Sequence, residues 1–445
     1  MVLASRQAML EEALILCGAI EQRRAGSAAL LACGELLRDI PAVATASRAF
    51  RIVVDEAVPA VHSKPPVWRR LMRAGPLRVL WTPFEMARRR GQARAVLTRE
   101  QPKVIVVFED RIPDPEMVWL EEAARLDIPA MLVRYASSSS ESDAWTRRDK
   151  TAYSLDRGAL AWARRLFARA YPAHALDLGM GPQIFYSLWD SLALAVSGMA
   201  GTQPWVVGGG RVAVAAIQGP TDFEEAVKLT QTPERFRITG QPSWDLMARA
   251  EKRQTSSPLV AHGAPGPQPP RLVCALPQWG EHLQMPWPQH IEKIAQLCAI
   301  LGNTGCEVVL SLHPKTQRDR YQPIADLHQL HISDLPLSAI LPGADLFVAS
   351  WSSTLRWAAM LGIASVNLDW AGQGYTLFSE LGSLPVSNQP VDLAPLLANL
   401  ADDPGHRTRL GAQLREESFP YGAIDGQSGQ RILSLIENLA GGGHG

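Results

Sequence analysis

The chain has 445 residues, 47% of them hydrophobic and 20% charged, with 44 Lys+Arg against 44 Asp+Glu and a formal net charge of zero. That length exceeds what one hydrophobic core ordinarily serves, so two domains are expected. The charge balance lacks the basic excess that a nucleic-acid partner demands. The cysteines form no CxxC pair, which argues against a cysteine metal site and fits a reducing cytosol.

The first fifty residues are rich in Ala, Leu, Glu and Arg and read as helical. Within them the apolar stretch Ala13–Ile20 follows acidic Glu11 and Glu12 and precedes no clear small-residue cleavage site. It reads as an amphipathic helix and not as a signal peptide. Short apolar, β-branched runs then alternate with helical stretches: Arg51–Asp55, Leu77–Trp81, Lys103–Phe108 and Ala130–Tyr135, with a helix over Pro115–Leu126. Val212–Ile217 and Arg235–Thr239 follow. Continuous apolar strands separated by helices indicate a parallel sheet covered on both faces. Arg88, Arg89, Arg90 and Arg94 read as a solvated helix face or, alternatively, as a contact to a membrane or anionic partner. The longest apolar segment, Ile184–Ala200, is interrupted by Asp190 and serines. It is too short and too polar for a membrane span, though contact with a membrane surface stays open.

From Gln254 to Pro270 the chain is dense in Pro, Gly and Ser without periodicity, as a linker would be. The alternation restarts with Leu272–Leu276, a helix near His290–Leu301, Cys306–Leu312, Leu330–Ser333, Asp345–Ala349 and Ala364–Leu368. The expected organisation is an α/β unit over 1–248, a linker over 249–270 and a second α/β unit over 271–440. A last helix, about Gln427–Leu439, could pack back on the first unit, and Gly441–Gly445 reads as a loose tail.

Ligands of open parallel sheets bind outside the carboxyl ends of the strands, so chemistry is sought just after each run. The run ending at Leu312 leads into His313-Pro314-Lys315. A proline suits the first turn of a helix, whose free amides favour an anion, with His313 as donor and Lys315 as point charge. The alternative is a core histidine closing its own strand. The run ending at Ala349 leads into Ser350-Trp351-Ser352-Ser353-Thr354. One helix cap needs one hydroxyl, and this cluster exceeds that need, so it reads as a phosphate cradle or as a serine-rich cap. Gln278 and His282, in Pro277–His282 after the first strand of the second unit, are candidates for donor or acceptor contacts. Trp279 could stack on a ring, although tryptophans mostly pack.

In the first unit the run ending at Phe108 leads into Glu109-Asp110-Arg111. Two carboxylates at a strand end suit a base that takes a proton from an acceptor hydroxyl, and Arg111 could hold one of them ionised. A helix cap paired with a surface arginine is the structural alternative. Asp222, Glu224 and Glu225 are further carboxylates of this kind. Gly208-Gly209-Gly210 reads as a flexible loop; it lacks GxGxxG spacing, so dinucleotide binding is not supported. Ser137–Ser140 read as a mobile loop or an acceptor-side loop.

The pair His313-Pro314 and Ser352-Ser353-Thr354 resembles the HP and S-S-T motifs of GT-B transferases that use cytidine-activated donors. Those include bacterial sialyl- and polysialyltransferases, Kdo transferases and CDP-glycerol polymerases. The resemblance covers the second half of the chain. In the first half it is confined to Arg237–Asp245, which is similar to the TGxPxxD turn of GT-B sugar enzymes, including hydrolysing UDP-GlcNAc 2-epimerases, or is a structural turn. The resemblance implies an α/β GT-B fold of two Rossmann-like domains with a ligand cleft between them. It implies donor-phosphate contacts at His313 with Ser352, Ser353 and Thr354, and Lys315, Ser350, Gln278, Gly240 and Gln241 are expected as further donor contacts from their places beside these motifs and turns. His313 is also expected to be catalytic; apart from the resemblance, the strand-end reading gives Asp110 or Glu109 as base, with His282 and Arg111 on the acceptor side. The expected partners are a nucleotide-sugar donor and a glycan, lipid-linked glycan or protein acceptor, in the cytoplasm or at the inner face of the membrane. No cofactor is expected, and no DxD-like motif stands at a strand end, so a metal-independent transfer is expected. The alternatives are a hydrolysing 2-epimerase, against which SWSST stands where that family has a DSGG-type loop, and a non-catalytic glycan-binding relative.

Overall fold

The computed structural model describes residues 1–4, 7–23, 29–33, 51–55, 72, 75–111, 115–136, 139–256, 269–282, 284–313, 316–375 and 378–441. Lys315, Ser137, Ser138, linker residues 257–268 and tail residues 442–445 lie outside them. The chain divides into two units, Met1–Gln241 with Gly429–Gly445, and Pro242–Ser428.

In chain order the first unit contains β1 (Val2–Ala4), α1 (Gln7–Arg23), β2 (Ala29–Cys33), β3 (Arg51–Asp55), α2 (Leu77–Glu100), β4 (Ile105–Val107), α3 (Pro115–Arg125) and β5 (Ala130–Val133). There follow α4 (Ser140–Trp145), α5 (Ala161–Ala170), the hairpin β6 (Ala175–Leu176) and β7 (Gln183–Ile184), and α6 (Leu188–Val196). β8 (Val214–Ile217), α7 (Pro220–Leu229) and β9 (Phe236–Ile238) complete the run. Seven strands pair in parallel in the order β3-β2-β1-β4-β5-β8-β9. Ile105, Val106 and Val107 are buried, as are Met131, Leu132 and Val133, because helices cover both faces of these strands.

The second unit contains α8 (Pro242–Ser256), β10 (Arg271–Ala275), α9 (Trp287–Gly302), β11 (Glu307–Ser311), α10 (Gln322–Leu327), β12 (His331–Ile332) and α11 (Leu337–Ile340). It continues through β13 (Leu346–Ala349), α12 (Thr354–Met360), β14 (Ala364–Leu368), β15 (Val386–Ser387), α13 (Pro390–Asp402) and α14 (Pro404–Glu417). Six parallel strands are ordered β12-β11-β10-β13-β14-β15. The last helix, α15 (Ser428–Ala440), belongs almost wholly to the first unit, where Ile432 and Leu433 share a core with Met9, Leu10, Leu16 and Ala216.

Several sequence expectations change. Leu77–Trp81 is not a strand: it opens the 24-residue helix α2 behind Pro76. Leucine and arginine are good helix formers, and one valine does not outweigh a continuous helical stretch. The first fifty residues are not all helical, since Val2–Ala4 and Ala29–Cys33 are strands. Residues 242–248, expected in the first unit, open α8, and Trp244 and Met247 pack in the second core. The apolar segment Ile184–Ala200 supplies the hairpin and α6, and Ile184, Leu188, Leu194 and Met199 are buried. Among the described residues no helix is long and apolar enough to cross a membrane. Cys17, Cys274 and Cys298 are free and buried. Burial pushes the Cys17 and Cys298 thiols up to about 12, which leaves them inert at neutral pH.

Candidate functional site

In a doubly wound sheet a crevice opens where the strand order reverses, at the carboxyl ends of the two strands that flank the reversal. In the second sheet these strands are β10 and β13. The loop after β10 is Leu276-Pro277-Gln278-Trp279-Gly280-Glu281, and the loop after β13 is Ser350-Trp351-Ser352-Ser353. His313 follows β11, on the other side of β10. The HP and S-S-T loops therefore share one sheet edge, with β10 between their strands.

Hydrogen bonds tie the three loops together. Gln278 Nε2 donates to Thr316 Oγ1 at 2.9 Å, which joins the β10 loop to the β11 loop. Trp279 Nε1 donates to Ser350 Oγ at 2.9 Å, and Ser350 donates to the Leu368 carbonyl at 2.8 Å. Ser350, expected as a donor contact, is thus engaged in holding β13 to β14. Trp279 packs rather than presenting its face: it is buried and stacks on Trp370 with centroids 5.8 Å apart.

Beneath the β10 loop lies a polar relay that the sequence reading missed. Tyr321 Oη donates to Glu281 Oε1 at 2.6 Å, so its lone pair faces His290 Nε2 at 2.8 Å. His290 is fully buried, and burial holds its pKa below the ordinary value, so the neutral Nε2–H tautomer satisfies the relay. Gly280 lies so close to this ring that a Cβ there would stand 3.0 Å from His290 Cδ2. His290 sat unmarked within a helical stretch. Only its partners reveal its role as a brace.

After β13 the backbone turns sharply. Trp351 adopts a positive φ of 42°, a costly region for a bulky side chain. Its amide donates to Asn367 Oδ1 at 2.9 Å and its ring stacks on Phe378 at 5.9 Å, so the turn is held from two sides. Ser353 precedes α12 without a side-chain cap bond. Ser352 Oγ instead accepts from the Thr354 amide at 3.3 Å and from the Thr354 hydroxyl at 2.8 Å. Ser352, Ser353 and Thr354 are all half-buried. A polar residue in the apolar run Ala364–Leu368 was the available signal for Asn367.

The helix start expected at Pro314 falls on Pro314 and Lys315, which lie outside the described residues; among the described residues the next helical turn is a 3-10 turn at Arg318–Arg320. His313 is half-buried at the strand end, and its carbonyl accepts the Thr316 amide at 2.8 Å. His282 is exposed, with its amide on the Gln278 carbonyl at 3.0 Å. Two surface grooves of this unit lie elsewhere. One runs between the carboxyl end of α9 and α13, at the opposite edge of the sheet, and the other lines α13 and α14.

In the first sheet the reversal falls between β1 and β4, and Glu109, Asp110 and Arg111 stand at the end of β4. Glu109 is 6% exposed and Asp110 1%. Glu109 Oε1 accepts from the Asp110 amide at 3.0 Å, the Arg111 amide at 3.0 Å and Arg111 Nε at 3.2 Å. Burial would raise its pKa, but the guanidinium and these donors outweigh it and hold it below the ordinary carboxylate value. Asp110 accepts from the Gly208 and Gly210 amides at 3.1 and 2.7 Å. Burial and the Glu109 charge, against those amides, push its pKa up to about 6.

These bonds correct two expectations. The triple-glycine loop is pinned by Asp110, and a Cβ on Gly209 would come within 2.2 Å of the Gln203 carbonyl oxygen. Both carboxylates are buried rather than open at the strand end, Asp110 holding the glycine loop and Glu109 holding Arg111. Arg111 is buried between Glu109 and Asp143, the latter at 3.0 Å, and is not free for an acceptor. Nearby, Arg134 pairs with Asp222 at 3.2 Å, and Ser140 Oγ donates to Glu225 at 2.7 Å. Gly240 adopts a φ of 79° and is buried. Gln241 is also buried, where it accepts from Gln218 at 2.6 Å and donates to Glu12, so it too is held inside the first unit.

No protein-family model and no curated protein sequence matches the chain. Solved structures do. The UDP-GlcNAc 2-epimerase of Neisseria meningitidis bound to UDP-GlcNAc is 11% identical, over 98% of this chain and 99% of that one, with a TM-score of 0.56. The S. aureus MnaA–UDP structure is 13% identical, over 98% and 95%, with a TM-score of 0.52. The glycotransferase of kitacinnamycin is 13% identical, over 98% of each chain, with a TM-score of 0.53. At this identity the likeness establishes the fold: two Rossmann-like α/β units of the GT-B class.

Proposed function

We propose that the chain is a glycosyltransferase that takes a nucleotide-activated sugar, CMP-linked by preference, to a hydroxyl of a surface glycan, lipid-linked glycan or protein. The sugar would be of the Kdo or nonulosonic-acid type. The observation that supports it is the convergence of the β10, β11 and β13 loops at the strand-order reversal of the second sheet. There the half-buried hydroxyls of Ser352, Ser353 and Thr354 stand on the same edge as His313. Lys315 joins this set by its place in the sequence.

In the proposed reaction the acceptor oxygen forms a bond to the anomeric carbon while the bond from that carbon to the phosphate oxygen breaks. The acceptor's hydroxyl proton passes to a general base, a role proposed for Asp110 or Glu109, and the departing nucleotide keeps the electron pair. Donors aimed at that oxygen stabilise the developing charge, and donors fixed in advance need no rearrangement at the moment of reaction. The bracing of the β10 loop by Tyr321 and His290 supplies such fixity. The transfer is proposed to be metal-independent, on the lack of a DxD-like motif.

Neighbouring folds and the Thr239–Asp245 turn favour a second reading, a hydrolysing 2-epimerase acting on a UDP-sugar. A thermal-shift panel of CMP, CDP, UDP and GDP separates the two. A ligand that binds only the folded state adds about 2.7 kcal/mol at a hundred times its Kd. Cytidine nucleotides are expected to raise Tm, and His313→Ala to remove the rise. Stabilisation by UDP alone would transfer the preference to the epimerase. A rise retained in His313→Ala would place the phosphate elsewhere.

A further inference from the structure

Three neighbouring helices of the first unit turn large apolar side chains outward. On α2, Leu77, Leu80 and Phe84 are 45%, 74% and 64% exposed. Their spacing of three and four residues puts them on one face. The opposite face of the same helix is already used, because Met86, Ala93 and Leu97 are buried in the core. On α5, Trp162 and Leu166 are 63% and 61% exposed, one turn apart. Between these helices α6 exposes Val196 at 65%. Arg78 pairs with Asp190 at 2.7 Å and Arg90 donates to the Ser197 carbonyl at 2.8 Å, which fixes α2 against α6. Phe167 of α5 and Leu194 of α6 share one core.

Single exposed leucines are ordinary, whereas a group at helical spacing marks a surface with an occupant. Its charge says which. α2 carries six arginines against two glutamates and α5 three arginines against no acid; Arg78, Arg90, Arg99 and Arg164 are engaged by Asp190, the Ser197 carbonyl, Glu100 and the Ser154 carbonyl, and the others supply the charge of this face. Exposed Arg88 and Arg94 continue along α2, and exposed Arg165 and Arg169 flank Trp162 and Leu166. A second copy of this chain is a poor occupant, since a two-fold interface sets a patch against itself and would oppose arginine to arginine. An anionic bilayer fits both components. Aromatic and aliphatic side chains enter the headgroup boundary while arginines meet lipid phosphates.

The geometry points to the outer face of α2 and α5 as a docking surface for an anionic lipid bilayer. This holds whichever nucleotide the second unit takes, because none of these residues lies in that unit.

The full chain is to be sedimented with vesicles of phosphatidylcholine and with vesicles of phosphatidylcholine mixed with phosphatidylglycerol. It is expected to bind the mixed vesicles only, and less at high salt, because surface charges are screened. Leu80→Glu/Phe84→Glu is expected to weaken partitioning at least about tenfold, since burying each such side chain is worth a decade or more. Trp162→Ser on α5 and Arg88→Glu/Arg94→Glu are expected to weaken it as well. All five substituted residues are exposed, so an unchanged Tm accompanies each loss. Failure to bind mixed vesicles, or equal binding by Leu80→Glu/Phe84→Glu and Trp162→Ser, overturns the assignment. So does a wild-type dimer in size-exclusion chromatography that Leu80→Glu/Phe84→Glu converts to monomer.

Discussion

Replacing Asp110 with alanine is expected to destabilise the first unit at pH 4 by about 2 kcal/mol more than at pH 7. Two effects oppose each other in this substitution. The Gly208 and Gly210 amides lose their acceptor, and a buried unsatisfied donor costs about 1–3 kcal/mol at any pH. Against this, the wild type carries the cost of a buried anion, but only once the carboxyl has ionised. Its pKa is raised from 3.8 to about 6 in the folded chain, so the folded state holds this proton more tightly than the unfolded one. The contribution of Asp110 is therefore full below 3.8 and is lost as pH rises through 6. A rise of about two pKa units corresponds to roughly 3 kcal/mol, most of which falls between pH 4 and pH 7. Glu109, held below its ordinary value, acts in the opposite sense: its contribution is present at neutral pH and lost on acidification. It remains in the variant, so the pH-dependent difference reports Asp110 together with its coupling to Glu109. Hydrogen exchange at the amides of β4 and β8 reads the first unit alone, where a single unfolding midpoint would mix two units. An equal cost at both pH values would show that this carboxyl is not the titrating group.

Trp279→Ala is expected to cost the second unit about 3–5 kcal/mol, the range for truncating a fully buried tryptophan. The side chain is buried, stacks on Trp370 and donates to Ser350. Its removal leaves a cavity under the β10 loop and strands the Ser350 hydroxyl on one partner. Trp279→Phe separates these contributions. It keeps most of the stacked area and loses only the indole N–H, for about 1 kcal/mol. Exchange rates at β10 and β13 amides measure both variants. Because Gln278 adjoins Trp279 and bonds Thr316, the alanine variant is also expected to lose nucleotide stabilisation beyond what its Tm explains. A variant that keeps wild-type exchange in β10 would show that the ring does not support the loop.

The second unit was largely legible as a sequence. Val308–Leu310, Phe347–Val348 and Ala364–Val366 are apolar runs too short for helices, bounded by turns, and each became a buried strand. The edge of that sheet was legible too, since His313 and the serine cluster each follow a strand. The state of each side chain there was not. Ser350 and Ser352 are the same residue type two positions apart, yet Ser350 is engaged by Trp279 and Leu368, partners distant in sequence. The first unit read less well. Val2–Ala4 and Ala29–Cys33 are rich in Ala and Leu, whose local preference is helical, and only the sheet around them makes them strands. Likewise Glu109 and Asp110 announce a pair of carboxylates, but nothing local announces that glycines a hundred residues later will enclose one of them.

The placement of α15 bears on how the protein comes into being. Asp245, just past the crossing into the second unit, accepts the amide of Ser428 at 2.9 Å, just before the chain crosses back. Ile432 and Leu433 then close a core whose other walls, Met9, Leu10 and Leu16, were synthesised first. During translation those early segments must wait, with their apolar surface uncovered, until more than four hundred further residues have left the ribosome. Such a long-range closure is slow, because it joins segments near opposite ends of the chain. Early release of the nascent chain before residue 429 would yield a polypeptide with an intact second core and an open first one, a natural substrate for chaperones.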